Sequence, residues 1–371
     1  MNHSRHSARA KRDAESQLTT GEILRSATRP QDDGMGGALQ DDGMGGALQD
    51  DGMGGALQDD GVGGALQDDG VGGGLLGPAE VRELAERLGV APTKKLGQNF
   101  VIDPNTVRKI VRRAEVGAGD RVIEVGPGLG SLTLGLLEVG ADVTAVEIDA
   151  RLAAELPTTV RAMQGAAIDR LRVIRSDALE LTLDAIAGSP SRPEVLVANL
   201  PYNVSVPILM HLLELIPDDS NAAGASGSSG LSRGLVMVQA EVGYRIAADP
   251  GSKEYGAPSA KAAWYGNWRI AGNVSRRIFW PVPGVDSVLV SYSRRSEPLG
   301  DAAARSATFA LVNAAFAQRR KMLRQALQPV LGGPEATVAA IEAAGVAPTA
   351  RAEELGIEQY LDIARAAEAL A

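Results

Sequence analysis

The sequence predicts an α/β protein in which a doubly wound, mainly parallel sheet is followed by a smaller, all-helical C-terminal domain. Three observations predict it. From residue 121 onward short apolar runs alternate with helix-like segments, most of the early runs end in Gly-rich or acidic turns, and beyond about residue 302 the strand-like runs stop. Alternation of this kind builds a parallel sheet with helices on both faces.

The first regular element is AEVRELAERLGV, from residue 79, whose apolar spacing is that of an amphipathic helix. RVIEV (121–125) is a short apolar run closed by a Gly-rich turn, and the helix-like SLTLGLLEVG follows. ADVTAVEID (141–149) is the next strand, and LRVIRSD (171–177) comes after a further helix. EVLVANL (194–200) leads into PILMHLLELI, and GLVMVQAEV (234–242) into another helix. VDSVLVSYS (285–293) is the last strand before the helical region. These elements define a sheet domain at 78–295 and a helical domain at 296–371, with NAAGASGSSG (221–230) as a flexible loop.

Residues 1–77 form an N-terminal extension expected to be disordered. QDDGMGGAL occurs at 31, 40 and 49, and returns as QDDGVGGAL at 58 and QDDGVGGGL at 67. Calcium-binding β-roll repeats of similar length require glycine and an apolar residue where this nonamer has Leu and Gly, so the segment reads as a duplicated flexible tract. It also distorts the charge. Residues 31–75 carry ten Asp and no Lys or Arg, so removing them takes the net charge from -9 to +1. Removing residues 1–30 as well, with six basic and three acidic side chains, leaves -2. A near-neutral body binds nucleic acid when its basic residues cluster.

Composition excludes several chemistries. The chain has no cysteine, hence no disulfide, thiolate zinc site or cysteine nucleophile, and only three histidines: His3, His6 and His211. The apolar runs are too short to span a bilayer, and no N-terminal apolar core of a signal peptide occurs, so a cytoplasmic protein is expected.

Four signals carry the chemistry. EVGPGLG (124–130) lies between a strand and a helix, where glycines admit close approach of a ligand to the backbone and helix amides stand free. The dinucleotide fingerprint would need glycine at 131, where Ser131 stands, and the G-x-G-x-G form instead suits a methyltransferase that binds S-adenosylmethionine. Glu147 ends the next strand and can accept bonds from ribose hydroxyls; Asp177 ends the third and can accept one from an adenine amino group. Each alone is also an ordinary solvated carboxylate. The fourth is Asn199-Leu200-Pro201-Tyr202. An exocyclic amine has its lone pair delocalised into the purine ring. Hydrogen bonds from its N–H groups to the Asn199 side-chain oxygen and to a carbonyl at Leu200 or Pro201 would draw it toward tetrahedral geometry and free it to attack a methyl sulfonium. Tyr202 can stack on an extruded base. The mechanism needs neither histidine, cysteine nor a metal ion.

With these motifs the chain resembles the ribosomal RNA adenine dimethyltransferase family, in particular its bacterial small-subunit branch linked to kasugamycin sensitivity. The resemblance runs from about Lys94 to Leu327, through KKLGQNFVIDPNTVRKIV, EVGPGLG, VEID, SDAL, NLPYNVSVPIL, SKEYGAPS (252–259) and IFWPVPGVDS (278–287). It implies a Rossmann-like sheet with S-adenosylmethionine as cofactor, held by Gln98, Asn99, Val101, Gly126, Gly128, Glu147, Asp177 and Asn199. It implies Phe279 as a second aromatic gripping the base opposite Tyr202. FAQRRKMLRQAL (316–327) opens the helical domain, and Arg319, Arg320, Lys321 and Arg324 sit at spacings that place several of them on one helical face, suited to RNA phosphates. The implied partner is 16S rRNA within the 30S subunit or its precursor, bound by a monomer with no membrane association. The implied reaction is dimethylation of two adjacent adenines in a hairpin near the 3′ end, with a role in small-subunit biogenesis. One departure is Gly284, in a turn where the family has a basic residue.

Two alternatives share these motifs: the 23S rRNA adenine methyltransferase of macrolide resistance, and a non-catalytic ribosome-assembly factor on the same fold. A dehydrogenase is disfavoured by Ser131 and by the NLPY tetrapeptide.

Overall fold

The central strands form where near-continuous apolar runs can be buried from both sides, as a parallel sheet requires. The structure, a computed structural model, describes residues 74–90, 99–187, 192–216 and 230–371. The nonamer repeats up to residue 73, Gln98 and most of the 221–230 loop lie outside the described residues.

In chain order the elements are α1 (Pro78–Arg87), β1 (Phe100–Val101), α2 (Pro104–Arg113), β2 (Arg121–Val125), α3 (Ser131–Glu138), β3 (Asp142–Glu147) and α4 (Ala150–Gln164). Then come β4 (Leu171–Arg175), α5 (Leu183–Ala187), β5 (Val195–Asn199), α6 (Ser205–Leu215), β6 (Arg233–Gln239), α7 (Ala240–Ile246) and α8 (Ala257–Tyr265). The remainder is β7 (Gly266–Val274), β8 (Phe279–Trp280), β9 (Ser287–Arg294), α9 (Ala302–Ala317), α10 (Leu323–Ala326), α11 (Gln328–Leu331), α12 (Pro334–Ala343) and α13 (Ile357–Leu370).

The main sheet has the order β4-β3-β2-β5-β6-β9-β7. Strands β4 through β6 are mutually parallel, and β9 and β7 extend the sheet antiparallel. The chain lays down β2, β3 and β4 outward, then returns to set β5 against the free side of β2. Such a reversal of strand order opens a crevice outside the carboxyl ends of the two strands at the switch, here β2 and β5. β7 was not legible in the sequence: GNWRIAGNV mixes exposed and buried positions, is interrupted by a bulge between Ile270 and Gly272, and is specified by its partner β9. Strands β1 and β8 pair in a separate two-stranded sheet, Phe100 with Trp280 and Val101 with Phe279.

Two apolar layers cover the main sheet. One joins α1 to α4 to the sheet through residues such as Val81, Val107, Val111, Leu134 and Leu156. The other joins α5, α6 and α7 through Ile186, Leu209, Leu212 and Ile246. A third cluster holds the C-terminal helices around Val312, Leu323, Ile341 and Tyr360, and recruits Tyr255, Ala260 and Trp264 from before residue 296. Buried tyrosine hydroxyls find carbonyls there: Tyr255 donates to Leu355 at 2.9 Å and Tyr360 to Ala352 at 2.8 Å. No helix among the described residues is long and apolar enough to cross a membrane.

Local signals start the helices that frame the crevice. Asp103 caps α2 by accepting from the Asn105 and Thr106 amides at 3.2 and 3.1 Å, with Pro104 in the first turn. All residues of α3 from Ser131 to Leu137 are buried, which requires a neighbour at van der Waals contact on every side. Gly135 makes that possible against α2: a β-carbon there would stand 2.4 Å from Val107 Cγ1. Gly135→Val forces α2 away from α3, and overpacking of this kind costs about 1–3 kcal/mol. A urea titration should show the unfolding midpoint lowered accordingly; an unchanged midpoint would mean that the α2–α3 contact is not rigid.

Candidate active site

At the switch point lies a cavity of about 450 Å³, lined by the loop after β2, the ends of β3 and β5, the 176–179 turn and the Asn99–Val101 segment. That volume is in the range of small-molecule sites.

The loop after β2 owes its path to glycine. Gly126, Gly128 and Gly130 have φ of 69°, 59° and 97°, a region that residues with a β-carbon rarely enter. A β-carbon on Gly128 would also stand 3.0 Å from the Phe100 ring, and one on Gly130 2.7 Å from Leu156. The loop is tied to β3 by Glu147, which is 5% exposed. One carboxylate oxygen accepts the Gly128 N–H at 3.1 Å and the other the Asp149 N–H at 2.9 Å. Burial pushes the Glu147 carboxyl above its ordinary value, against the pull of these amide donors. Asp177 lies across the cavity, one oxygen accepting the Leu179 N–H at 2.9 Å.

Asn199 closes β5 at the cavity wall. Its Nδ2 donates to the Asn99 carbonyl at 3.2 Å, which commits that end of the amide and leaves Oδ1 as the acceptor. Leu200 N–H continues the sheet by donating to Met237 at 3.0 Å, and the Pro201 carbonyl accepts the Val204 N–H at 3.3 Å. Tyr202 is half-buried in the cavity wall, its hydroxyl 2.8 Å from the Ser287 hydroxyl at the start of β9. Burial raises the Tyr202 phenol above its ordinary value.

The structure thus brings together Asn99, Val101, Gly126, Gly128, Glu147, Asp177, Asn199, Leu200, Pro201 and Tyr202 around one cavity. Phe279 does not line it. Its side chain is 1% exposed in the apolar layer, and its backbone pairs with the wall residue Val101. The aromatic neighbour of the Gly-rich loop is Phe100, whose ring stacks on Trp280 at a centroid distance of 6.4 Å.

The proposed RNA contacts sit elsewhere, and not on one helical face. Helix α9 ends at Ala317, and Arg319, Arg320 and Lys321 occupy the turn before α10, which carries Arg324. The turn arises because Met322 pairs with Arg351 and the Leu323 N–H donates to Ala350 at 2.8 Å, long-range bonds that outcompete helix continuation. All four cations are exposed, but Arg319 is engaged: it pairs with Glu353 at 2.6 Å and donates to the Lys253 carbonyl at 3.2 Å.

Of the wall residues not singled out in the sequence, three bear on the chemistry. Ile148 and Leu179, 61% and 39% exposed, present apolar surface beside Glu147 and Asp177; an aliphatic residue next to a strand-end acid was the available signal. Glu124 is 1% exposed and bonded by the Thr133 hydroxyl at 2.6 Å. Its signal was an acid inside the apolar run RVIEV. Among the described residues no cluster of His, Asp or Glu could hold a metal ion.

Fold and cavity together define the class: a Rossmann-like methyltransferase, with a nucleoside-sized site at the switch point of a doubly wound sheet. A model of the ribosomal RNA adenine dimethylase family matches residues 91–369, and the chain belongs to that family. Membership makes it an S-adenosylmethionine-dependent methyltransferase of rRNA adenine. It is 62% identical over 290 residues to the ribosomal RNA small subunit methyltransferase A of Leifsonia xyli subsp. xyli, covering 78% of this chain and 98% of that one. It is 56% identical over 290 residues to the protein of that name from Streptomyces coelicolor, covering 78% and 96%. Among solved structures, the 23S rRNA methyltransferase ErmE is similar with a TM-score of 0.53 at 26% identity, covering 73% of this chain and 100% of its own. A Plasmodium falciparum dimethyladenosine transferase shares the fold, with a TM-score of 0.57 at 22% identity over 71% of this chain and 95% of its own.

Glu124 sets a pH dependence. Burial lifts its carboxyl from 4.5 to about 8, the Thr133 bond opposing and the Glu147 charge adding to the rise. The folded state therefore holds a proton that the unfolded chain releases near pH 4.5, so this residue's stabilisation is complete at lower pH and is lost as pH rises toward 8. Glu124→Gln should remove the dependence. Unfolding free energies at pH 5.5 and 8 should differ by about 2–4 kcal/mol less in the variant than in the wild type, and equal differences would refute a protonated Glu124.

Proposed function

We propose that the chain dimethylates the exocyclic N6 amines of two adjacent adenines in a hairpin near the 3′ end of 16S rRNA, within the 30S subunit or its precursor. The names and near-complete coverage of the small-subunit relatives support the target. The observation that carries the chemistry is the Asn199 amide, anchored at 3.2 Å on the Asn99 carbonyl beside the cavity.

The cavity suits the cofactor. Carboxylates at Glu147 and Asp177 match hydroxyl and amino donors and complement a cation, and Ile148 and Leu179 offer apolar faces to a flat ring. Asn99, Val101, Gly126, Gly128 and the Asn199 backbone complete the wall, with Gln98 assigned from the motif. S-adenosylmethionine supplies an electrophilic methyl group on a cationic sulfur.

The chain's own residues then work on the amine. Asn199 Oδ1 accepts one N–H. A backbone carbonyl accepts the other: Leu200 is the favoured acceptor, because the Pro201 oxygen already accepts the Val204 N–H and would have to share. With both hydrogens held, the nitrogen moves toward tetrahedral geometry and its lone pair leaves conjugation with the ring. The proton lost from the product passes to water, with no histidine in the wall. Tyr202 stacks on the base, its ring fixed by Ser287. Phe279 braces Val101 from the core. Residues 78–295 carry catalysis and 296–371 carry RNA contact, through Arg320, Lys321 and Arg324, while Arg319 holds their turn against Glu353.

The test is transfer of labelled methyl to 30S subunits from a strain lacking this modification, with naked 23S RNA alongside. Wild type should label two adjacent adenines of the 30S RNA. Asn199→Ala should lose about 100-fold or more in kcat. Label appearing on 23S RNA alone would give the reaction to the macrolide-resistance type, and an active Asn199→Ala would sink the role of the amide.

A further inference from the structure

Helix α2 begins three residues after the cavity-wall residue Val101, and the chain then leads from its C-terminus to β2. Its inner face, Val107, Ile110 and Val111, is buried. Its outer face carries Lys109, Arg112 and Arg113, all exposed, at the i, i+3 and i+4 spacing that puts them side by side. Among the described residues none of the three has an ion-pair or hydrogen-bonding side-chain partner, whereas Arg108 on the same helix is paired with Glu138 at 2.8 Å. Arg277, also exposed and unpaired among the described residues, continues the stripe toward the cavity: the Ile102 N–H donates to the Ile278 carbonyl at 2.8 Å, which sets the 276–278 turn against the start of α2.

We infer that Lys109, Arg112, Arg113 and Arg277 form an RNA phosphate track that leads from the cavity along α2. It is distinct from the C-terminal cations and rests on the proposed rRNA reaction. The charge is uncompensated, and the 276–278 turn that carries Arg277 is joined to the cavity-wall segment by the pairing of β1 with β8. From Pro104 to Arg113 the helix rises about 13 Å at roughly 1.5 Å per residue, the axial length of about four stacked nucleotides. Arg112 and Arg113 lie in the last turn and also favour the helix dipole. Lys109 does not, so a purely structural reading leaves the stripe's inner cation unexplained. The track also answers the missing basic residue at Gly284: Arg276 reaches that turn, donating to the Gly284 carbonyl at 3.3 Å while paired with Asp286 at 2.9 Å, and Arg277 beside it stays free for phosphate.

The experiment uses the full chain and unmethylated 30S subunits, with Lys109→Gln, Arg112→Gln and Arg113→Gln combined, and a charge-keeping variant of Lys109→Arg, Arg112→Lys and Arg113→Lys. The neutral variant should raise KM for 30S subunits about tenfold or more and lower the slope of log K against log salt by about 2–3. Its kcat and its Kd for S-adenosylmethionine should stay within about twofold, and the charge-keeping variant should behave as wild type. An unchanged KM and salt slope in the neutral variant would overturn the track, as would equal losses in both variants. Should wild type bind 30S subunits without methylating them, the reaction fails while the track is still judged by the salt slope of binding.

Discussion

Two strand ends are held in register by one buried carboxylate. Glu147, at the end of β3, receives the Gly128 amide from the loop after β2 and the Asp149 amide from its own chain. Burying a carboxylate is costly unless its oxygens find donors, and here both do. The requirement runs in both directions. Gly128 presents its N–H only because the loop follows a path with φ of 59°, and Glu147 accepts it only because β2 and β3 pair in register from Arg121–Asp142 to Val125–Val146. The floor of the cavity is thus a consequence of strand pairing.

A second brace comes from outside the main sheet. The Asn99–Val101 segment lies over the Gly-rich loop, with Phe100 against Gly128 and the Val101 carbonyl accepting the Ser131 hydroxyl at 2.6 Å. The same segment presents the Asn99 carbonyl to Asn199 and pairs β1 with β8. The residues that orient the amide, close the loop and bury Phe279 therefore belong to one short stretch. Tyr202 is tied in from the other side, through Ser287 at the head of β9. Each brace fixes a group that lines the cavity, which is how a site on loops keeps the geometry of a sheet.

What was legible in the sequence was local. Glycines that demand positive φ, acids at strand ends, and an Asn-Leu-Pro-Tyr turn each announce themselves within a few residues, and the structure brings Gly126, Gly128, Glu147, Asp177, Asn199, Leu200, Pro201 and Tyr202 to one cavity. What escaped was set by distant partners. Phe279 reads as a site aromatic from its motif, but the β1–β8 pairing places its ring in the apolar layer. Arg319, Arg320, Lys321 and Arg324 read as a helix with several cations on one face until the Met322–Arg351 bridge breaks the helix between α9 and α10. β7 is a strand because β9 offers it an edge. Glu124 looked like one letter of a Gly-rich motif, and only the packing of α3 over β2 makes it a buried acid bonded to Thr133.

The charge of the molecule is best understood as two separate problems. The net value of -9 is dominated by a segment that lies outside the described fold, so it says little about partners. Within the fold, opposite charges gather in different places. Glu147, Asp149 and Asp177 line the cavity, while Lys109, Arg112, Arg113 and Arg277 stand exposed on the flank that leads away from it. A sulfonium cofactor and a polyanionic substrate need opposite potentials within a few ångströms of the transferred methyl. A low-dielectric interior strengthens the first field and solvent screens the second to a range of about 8–10 Å, so the two can adjoin without cancelling. That separation lets a protein of near-neutral body hold a cation at its centre and still draw RNA to its surface.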